Sequence, residues 1–133
     1  MGLMKIVAVL ALAAVTAAWR NQLAFEFTGP GCGGKLAHAW VGSKYQQIKM
    51  GNTTQSVYIS TVNDGIYRWY GFSESTEDGN SCYGDLVGRM YAPCFDLTSF
   101  AAQGKPVVKC IRYCSLWADK ESVYSCASIG VTE

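Results

Sequence analysis

Few residues in this chain have the type and spacing that chemistry needs. His38 is its single histidine. An imidazole with an ordinary pKa near 6.5 serves as a general base only beside a nucleophile or an acid partner. No Gly-x-Ser-x-Gly elbow supplies a nucleophile, and the second histidine that a secreted ribonuclease often uses is lacking. Glu26 and Glu74 are the arithmetic partners of His38. Asp64, Glu74, Glu77, Asp78, Asp85 and Asp96 offer carboxylates for a glycosidase pair. At turn positions, however, such side chains usually organise the turn or face solvent. The run Gly29-Pro30-Gly31-Cys32-Gly33-Gly34-Lys35-Leu36 comes close to a phosphate-binding loop, but Leu36 stands where a Ser or Thr hydroxyl must hold Mg²⁺. Zinc would need closely spaced cysteine pairs or clustered histidines, and the calcium-loop pattern is missing. The sequence therefore assigns no catalytic residue, no metal ligand and no cofactor.

The cysteines carry more. Cys32, Cys82, Cys94, Cys110, Cys114 and Cys126 make an even set of six, which in a short exported chain reads as three disulfides and no free thiol. Fifteen connectivities are open to six cysteines. On a shared strand Cys110 and Cys114 would stand ~13 Å apart at about 3.3 Å per residue, beyond the roughly 4.4–6.8 Å of a bridged pair, so they pair elsewhere. Export is expected from residues 1–18. Lys5 gives a positive n-region, Ile6 to Ala14 an apolar centre, and small residues allow cleavage after Ala17 or Ala18. The apolar run ends at Trp19-Arg20, too short to span a bilayer. Residues 19–133 then form one disulfide-stabilised domain. Asn52-Thr53-Thr54 is a glycosylation acceptor pattern in an exposed turn.

Composition bounds the rest. Charged residues make up 16 % and aromatics 13 % of the 133 residues, so a real core is affordable and disorder is not expected. Basic and acidic side chains number 11 and 10, and cleavage removes Lys5 to leave 10 against 10. Such a neutral surface has no general pull on nucleic acid or anionic membranes. The expected partner is a host extracellular protein or glycan, met by a monomer.

Positioning falls to short strands. Leu23–Phe27 alternates. Gln55–Val62 and Ile66–Phe72 are rich in β-branched and aromatic residues and flank Asn63-Asp64-Gly65, a tight-turn signal, so they read as a hairpin. Glu74–Ser81 reads as an exposed loop. Val107–Tyr113 and Val123–Val131 read as two further strands. Lys35–Met50 suits either a helix or strands, and Asp96–Phe100, stopped by Gly104, is at most a short helix. An offset of 50 residues aligns Cys32 with Cys82, Gly34 with Gly84, Leu36 with Leu86 and Val57 with Val107. That echo suggests two similar β halves packed together. The fold class expected is mostly β, a disulfide-stabilised sandwich or barrel with at most one short helix. The alternative is an α+β sandwich with Lys35–Met50 and Ser81–Phe100 helical.

On Ile66–Phe72, Tyr67 and Trp69 project to one face and Arg68 and Tyr70 to the other. If the first pair is core, Arg68 and Tyr70 form an exposed cationic and aromatic binding face. The chain as a whole resembles the small secreted cysteine-rich proteins of filamentous fungi, including candidate plant-pathogen effectors. The resemblance lies in the Ala-rich leader ending Ala14-Val15-Thr16-Ala17-Ala18, the six cysteines, the Tyr and Gly richness and the short β runs. A Lys-Arg processing site, common in that group, is missing. The resemblance implies a virulence-related role outside the producing cell and assigns no residue a role. The expected function is a secreted effector or toxin-like binding protein without catalytic chemistry. The alternatives are a small secreted hydrolase, in which His38→Ala would abolish turnover, and a carbohydrate- or cell-wall-binding protein using Tyr67, Trp69 and Tyr70.

Overall fold

A period of two in burial sets the architecture. In β1 (Gln22–Phe27), Ala24 and Glu26 are buried while Leu23, Phe25 and Phe27 are half-exposed, as a strand with one inward face requires. The computed structural model describes residues 22–42, 47–60, 67–91, 93–118, 121–122 and 125–130. The leader expected at 1–18 and the turn expected at Asn63-Asp64-Gly65 lie outside them.

Among the described residues, eight strands form two antiparallel sheets. The first has the order β2-β1-β4-β7, with β2 at Leu36–Gly42, β4 at Ser56–Ile59 and β7 at Cys94–Asp96. The second has the order β3-β8-β5-β6, with β3 at Gln47–Lys49, β5 at Tyr67–Ser75, β6 at Cys82–Met90 and β8 at Cys110–Ser115. Ala24, Val57, Ile59 and Phe95 of the first sheet join Ile48, Trp69, Val87, Met90, Ile111 and Tyr113 of the second in one buried cluster. The mostly-β, disulfide-stabilised, sandwich-like fold expected from the sequence is the one observed.

The three bridges are Cys32–Cys94, Cys82–Cys110 and Cys114–Cys126, leaving no free thiol. Cys110 and Cys114 do share a strand and do bond elsewhere. The first bridge ties the 3-10 turn Pro30–Cys32 to β7. The second joins β6 to β8, the two neighbours of β5.

Lys35–Met50, which suits either a helix or strands by sequence, holds β2 and β3 among its described residues, as the mostly-β reading requires. Several local expectations are corrected. Ser56–Ile59 and Tyr67–Ser75 do not form a hairpin, because they belong to different sheets. Val57, Ile59 and Trp69 all need burial, and opposing them across the sandwich buries each against the other. Trp69 Nε1 seals that choice by donating to the Ser60 carbonyl at 3.1 Å. The sheets are not two sequence halves either, since each draws strands from both. Val123–Val131 is not a strand where described. Ser125 makes one isolated bridge with Ser115, and Cys126–Ile129 is a 3-10 turn begun by the Ser125 hydroxyl accepting from Ala127 N–H. Glu74 and Ser75, read as loop, end β5.

Candidate binding surface

Arg68 and Tyr70 do lie opposite Trp69 on β5, but that face is not free. Tyr70 is only 3 % exposed and belongs to a second buried cluster with Phe72 and the cystines Cys82–Cys110 and Cys114–Cys126. Leu116 and Ile129 pack against that cluster. Arg68 is half-buried and faces Cys114 across the β5–β8 ladder. Arg112, opposite Tyr70, is half-buried as well, and loss of solvent pushes its pKa below the usual arginine value. The exposed Arg68–Tyr70 face expected from alternation is therefore corrected. A second small core, closed by the C-terminal turn, covers it. Tyr67 stacks on Tyr113 at 5.3 Å and Trp69 is buried, so the carbohydrate reading loses the open aromatic run it invoked.

The segment that covers this face presents another residue. Trp117 is 76 % exposed, two residues beyond β8. The Ser115 hydroxyl accepts from the backbone N–H of Trp117 at 3.1 Å and of Ala118 at 3.2 Å. Cys114–Cys126 spans a sequence separation of 12, and the Ser115–Ser125 bridge sits just inside it. A large apolar ring thus stands in solvent on a loop whose two ends are fastened together. Strand alternation does not reveal it, because Trp117 lies beyond the end of β8. The signal was a tryptophan just ahead of the charged pair Asp119-Lys120, between the closely spaced Cys114 and Cys126.

The remaining chemistry-bearing residues lie elsewhere. His38 is exposed on the edge strand β2 and packs against the Trp40 ring at 4.2 Å. Glu26 is its partner in the β1–β2 ladder, yet the Glu26 carboxylate is engaged by other groups. It accepts from Trp40 Nε1 at 2.7 Å, Gly51 N–H at 2.8 Å and the Thr54 hydroxyl at 2.7 Å. The structure does not bring Glu74 to His38, since Glu74 lies in the second sheet and His38 in the first. In the glycine-rich loop, Gly31 N–H donates to Asp96 Oδ1 at 2.7 Å and Cys32 N–H to the Ser56 hydroxyl at 2.8 Å. Amides that a phosphate would need are thus occupied from within, one by a carboxylate. Asp78 organises the β5–β6 turn by accepting from the Thr76 hydroxyl at 2.6 Å and Asn80 N–H at 2.9 Å. Those donors hold its pKa below the usual aspartate range. Among the described residues, no three His, Cys, Asp or Glu side chains gather as a metal site, and no helix is long and apolar enough to cross a membrane.

Asn52 is exposed, as its turn position predicts. It lines a cleft of about 360 Å³ with Lys49, Glu74, Lys109 and Val107. No family model matches this chain, nor does any curated protein or solved structure.

Proposed function

We propose that this chain is a secreted, effector- or toxin-like binding protein that acts outside the producing cell and grips a host extracellular protein through Trp117. The observation that carries the reading is the exposure of Trp117 on a cystine-closed loop. Tryptophan is the residue type most enriched among binding hot spots. A loop held at both ends before binding loses little freedom on binding, so more of the contact energy appears as affinity. Three disulfides support an oxidising compartment. A protein partner is favoured over a glycan because Tyr67, Trp69 and Tyr70, the aromatic run a glycan would stack on, are buried or half-buried.

The test is a pull-down of the partner from host extracellular fluid, plant tissue first, followed by affinity measurement. Trp117→Ala removes an exposed ring, so the melting transition should stay within about 0.5 kcal/mol of the parent. Affinity should fall about thirtyfold or more, the ~2 kcal/mol lower end of a hot spot. An unchanged Kd for the recovered partner would overturn the reading.

A further inference from the structure

The acceptor pattern Asn52-Thr53-Thr54 is explained neither by the core nor by the Trp117 loop. Its two ends meet very different surroundings. Thr54 N–H closes the turn onto the Gly51 carbonyl at 3.1 Å, which carries Asn52 and Thr53 outward into solvent. Thr54 itself turns inward and is 9 % exposed. Its hydroxyl donates at 2.7 Å to Glu26 Oε1, a carboxylate that is 2 % exposed. The same oxygen accepts from Gly51 N–H, and the other oxygen accepts from Trp40 Nε1. The turn is thus pinned from both sides by one buried acceptor.

N-glycosylation requires a Ser or Thr hydroxyl two residues after the asparagine, so the transferring enzyme must engage that hydroxyl. In the folded protein it is buried and already donating. We infer that Asn52 is an N-glycan acceptor in the unfolded chain only, and that closing the Glu26–Thr54 contact ends its competence. The donor class is a lipid-diphosphate-linked oligosaccharide. The C1–O bond of its first sugar breaks and a bond from Asn52 Nδ2 to C1 forms. The lipid diphosphate leaves with the bonding electrons, and the displaced amide proton passes to base. The exposed Asn52 side chain lets the product fold with its core unchanged. The glycan then stands at the rim of the cleft that Asn52 shares with Lys49, Glu74 and Lys109, shielding that cleft. In the organism this acceptor role rests on the secretory route proposed above.

The experiment offers a purified oligosaccharyltransferase and its lipid-diphosphate oligosaccharide two forms of the full-length chain, with intact mass as the readout. One form is folded and disulfide-intact. The other is reduced, with its thiols alkylated so that the fold cannot reform. The alkylated chain should gain one glycan, lose that gain on Asn52→Gln and keep it on Thr54→Ser, while the folded form gains less than a tenth as much. No transfer to the alkylated chain, or equal transfer to both forms, would overturn the inference. The assay needs no export. A chain that accepts glycan in vitro but never reaches the medium of its host therefore counts against the secretion reading alone.

Discussion

Glu26 shows how far a single residue can depart from its sequence appearance. In Leu23–Phe27 it reads as the polar position of an alternating strand, yet it points inward with Ala24 and is among the most buried side chains. It is tolerated there because two N–H groups and a hydroxyl replace the water it gave up. None of those donors is near it in sequence, which is why this role was not legible. Glu26→Gln keeps the shape but turns an NH₂ group toward at least one N–H or hydroxyl donor. Stability measured by urea unfolding should fall by about 1–3 kcal/mol, the cost of leaving a buried donor unmet. A neutral result would mean that the network rearranges around the amide. Asp78 is the solvent-facing counterpart. Hydrogen bonds from Thr76 and Asn80 favour its charged form in the folded turn. Its contribution is therefore present above the unfolded aspartate value and is lost as pH falls through the lowered folded value. Carboxyl chemical shifts should place Asp78 below an ordinary aspartate, and amides in Thr76–Ser81 should exchange faster below that midpoint. An ordinary midpoint for Asp78 would contradict the turn geometry.

At the scale of elements, β1, β4, β5 and β8 were each legible from alternation or β-branched runs, and Gly104 does end the short 3-10 turn Ala101–Gln103 with a left-handed φ of 74°. Pairing was not legible. Asn63-Asp64-Gly65 is a local signal, whereas the sheet each flanking strand joins depends on which apolar face it must meet. Tyr70 failed for a related reason. Alternation reveals that β5 has two faces but says nothing about a cystine and a C-terminal turn arriving to cover the second. The inner face of β5 carries its own constraint at Gly71. A Cβ there would lie 2.6 Å and 2.8 Å from the two methyl groups of Val108, and Val108 is buried. Gly71→Ala should destabilise by about 1–3 kcal/mol through overpacking. Adding Val108→Ala should recover part of that loss. Purely additive losses in the double variant, followed by thermal unfolding, would show that the clash is not the cause.

At the scale of the molecule, the six cysteines and the β-rich composition conveyed class and number of cross-links, while connectivity awaited the fold. The bridges differ in the length of chain they close, with sequence separations of 62, 28 and 12. Chain-entropy reasoning assigns about 4 kcal/mol to Cys32–Cys94 and about 3 kcal/mol to Cys114–Cys126. Replacing each pair by serine should lower the urea-derived stability in that order. The reverse order would show that packing of the C-terminal turn on Tyr70 and Phe72, not loop length, governs the smaller bridge. The Trp117 loop depends on the same Cys114–Cys126 link, so its loss should loosen the proposed binding element while the main sandwich core persists.

The interleaving of the two sheets governs when the chain is able to fold at all. β8, at Cys110–Ser115, stands between β3 and β5, two strands made much earlier by the ribosome. Until translation has passed Ser115, β3 has no hydrogen-bonded neighbour and β5 lacks one of its two. The first sheet waits as well, since β7 and the Cys94 half of its bridge come late. Domains whose contacts span most of the chain fold slowly, because loop closure precedes its reward. Residues through Ser115 therefore emerge before the second sheet is able to close, and the Cys114–Cys126 link closes only once Cys126 has followed.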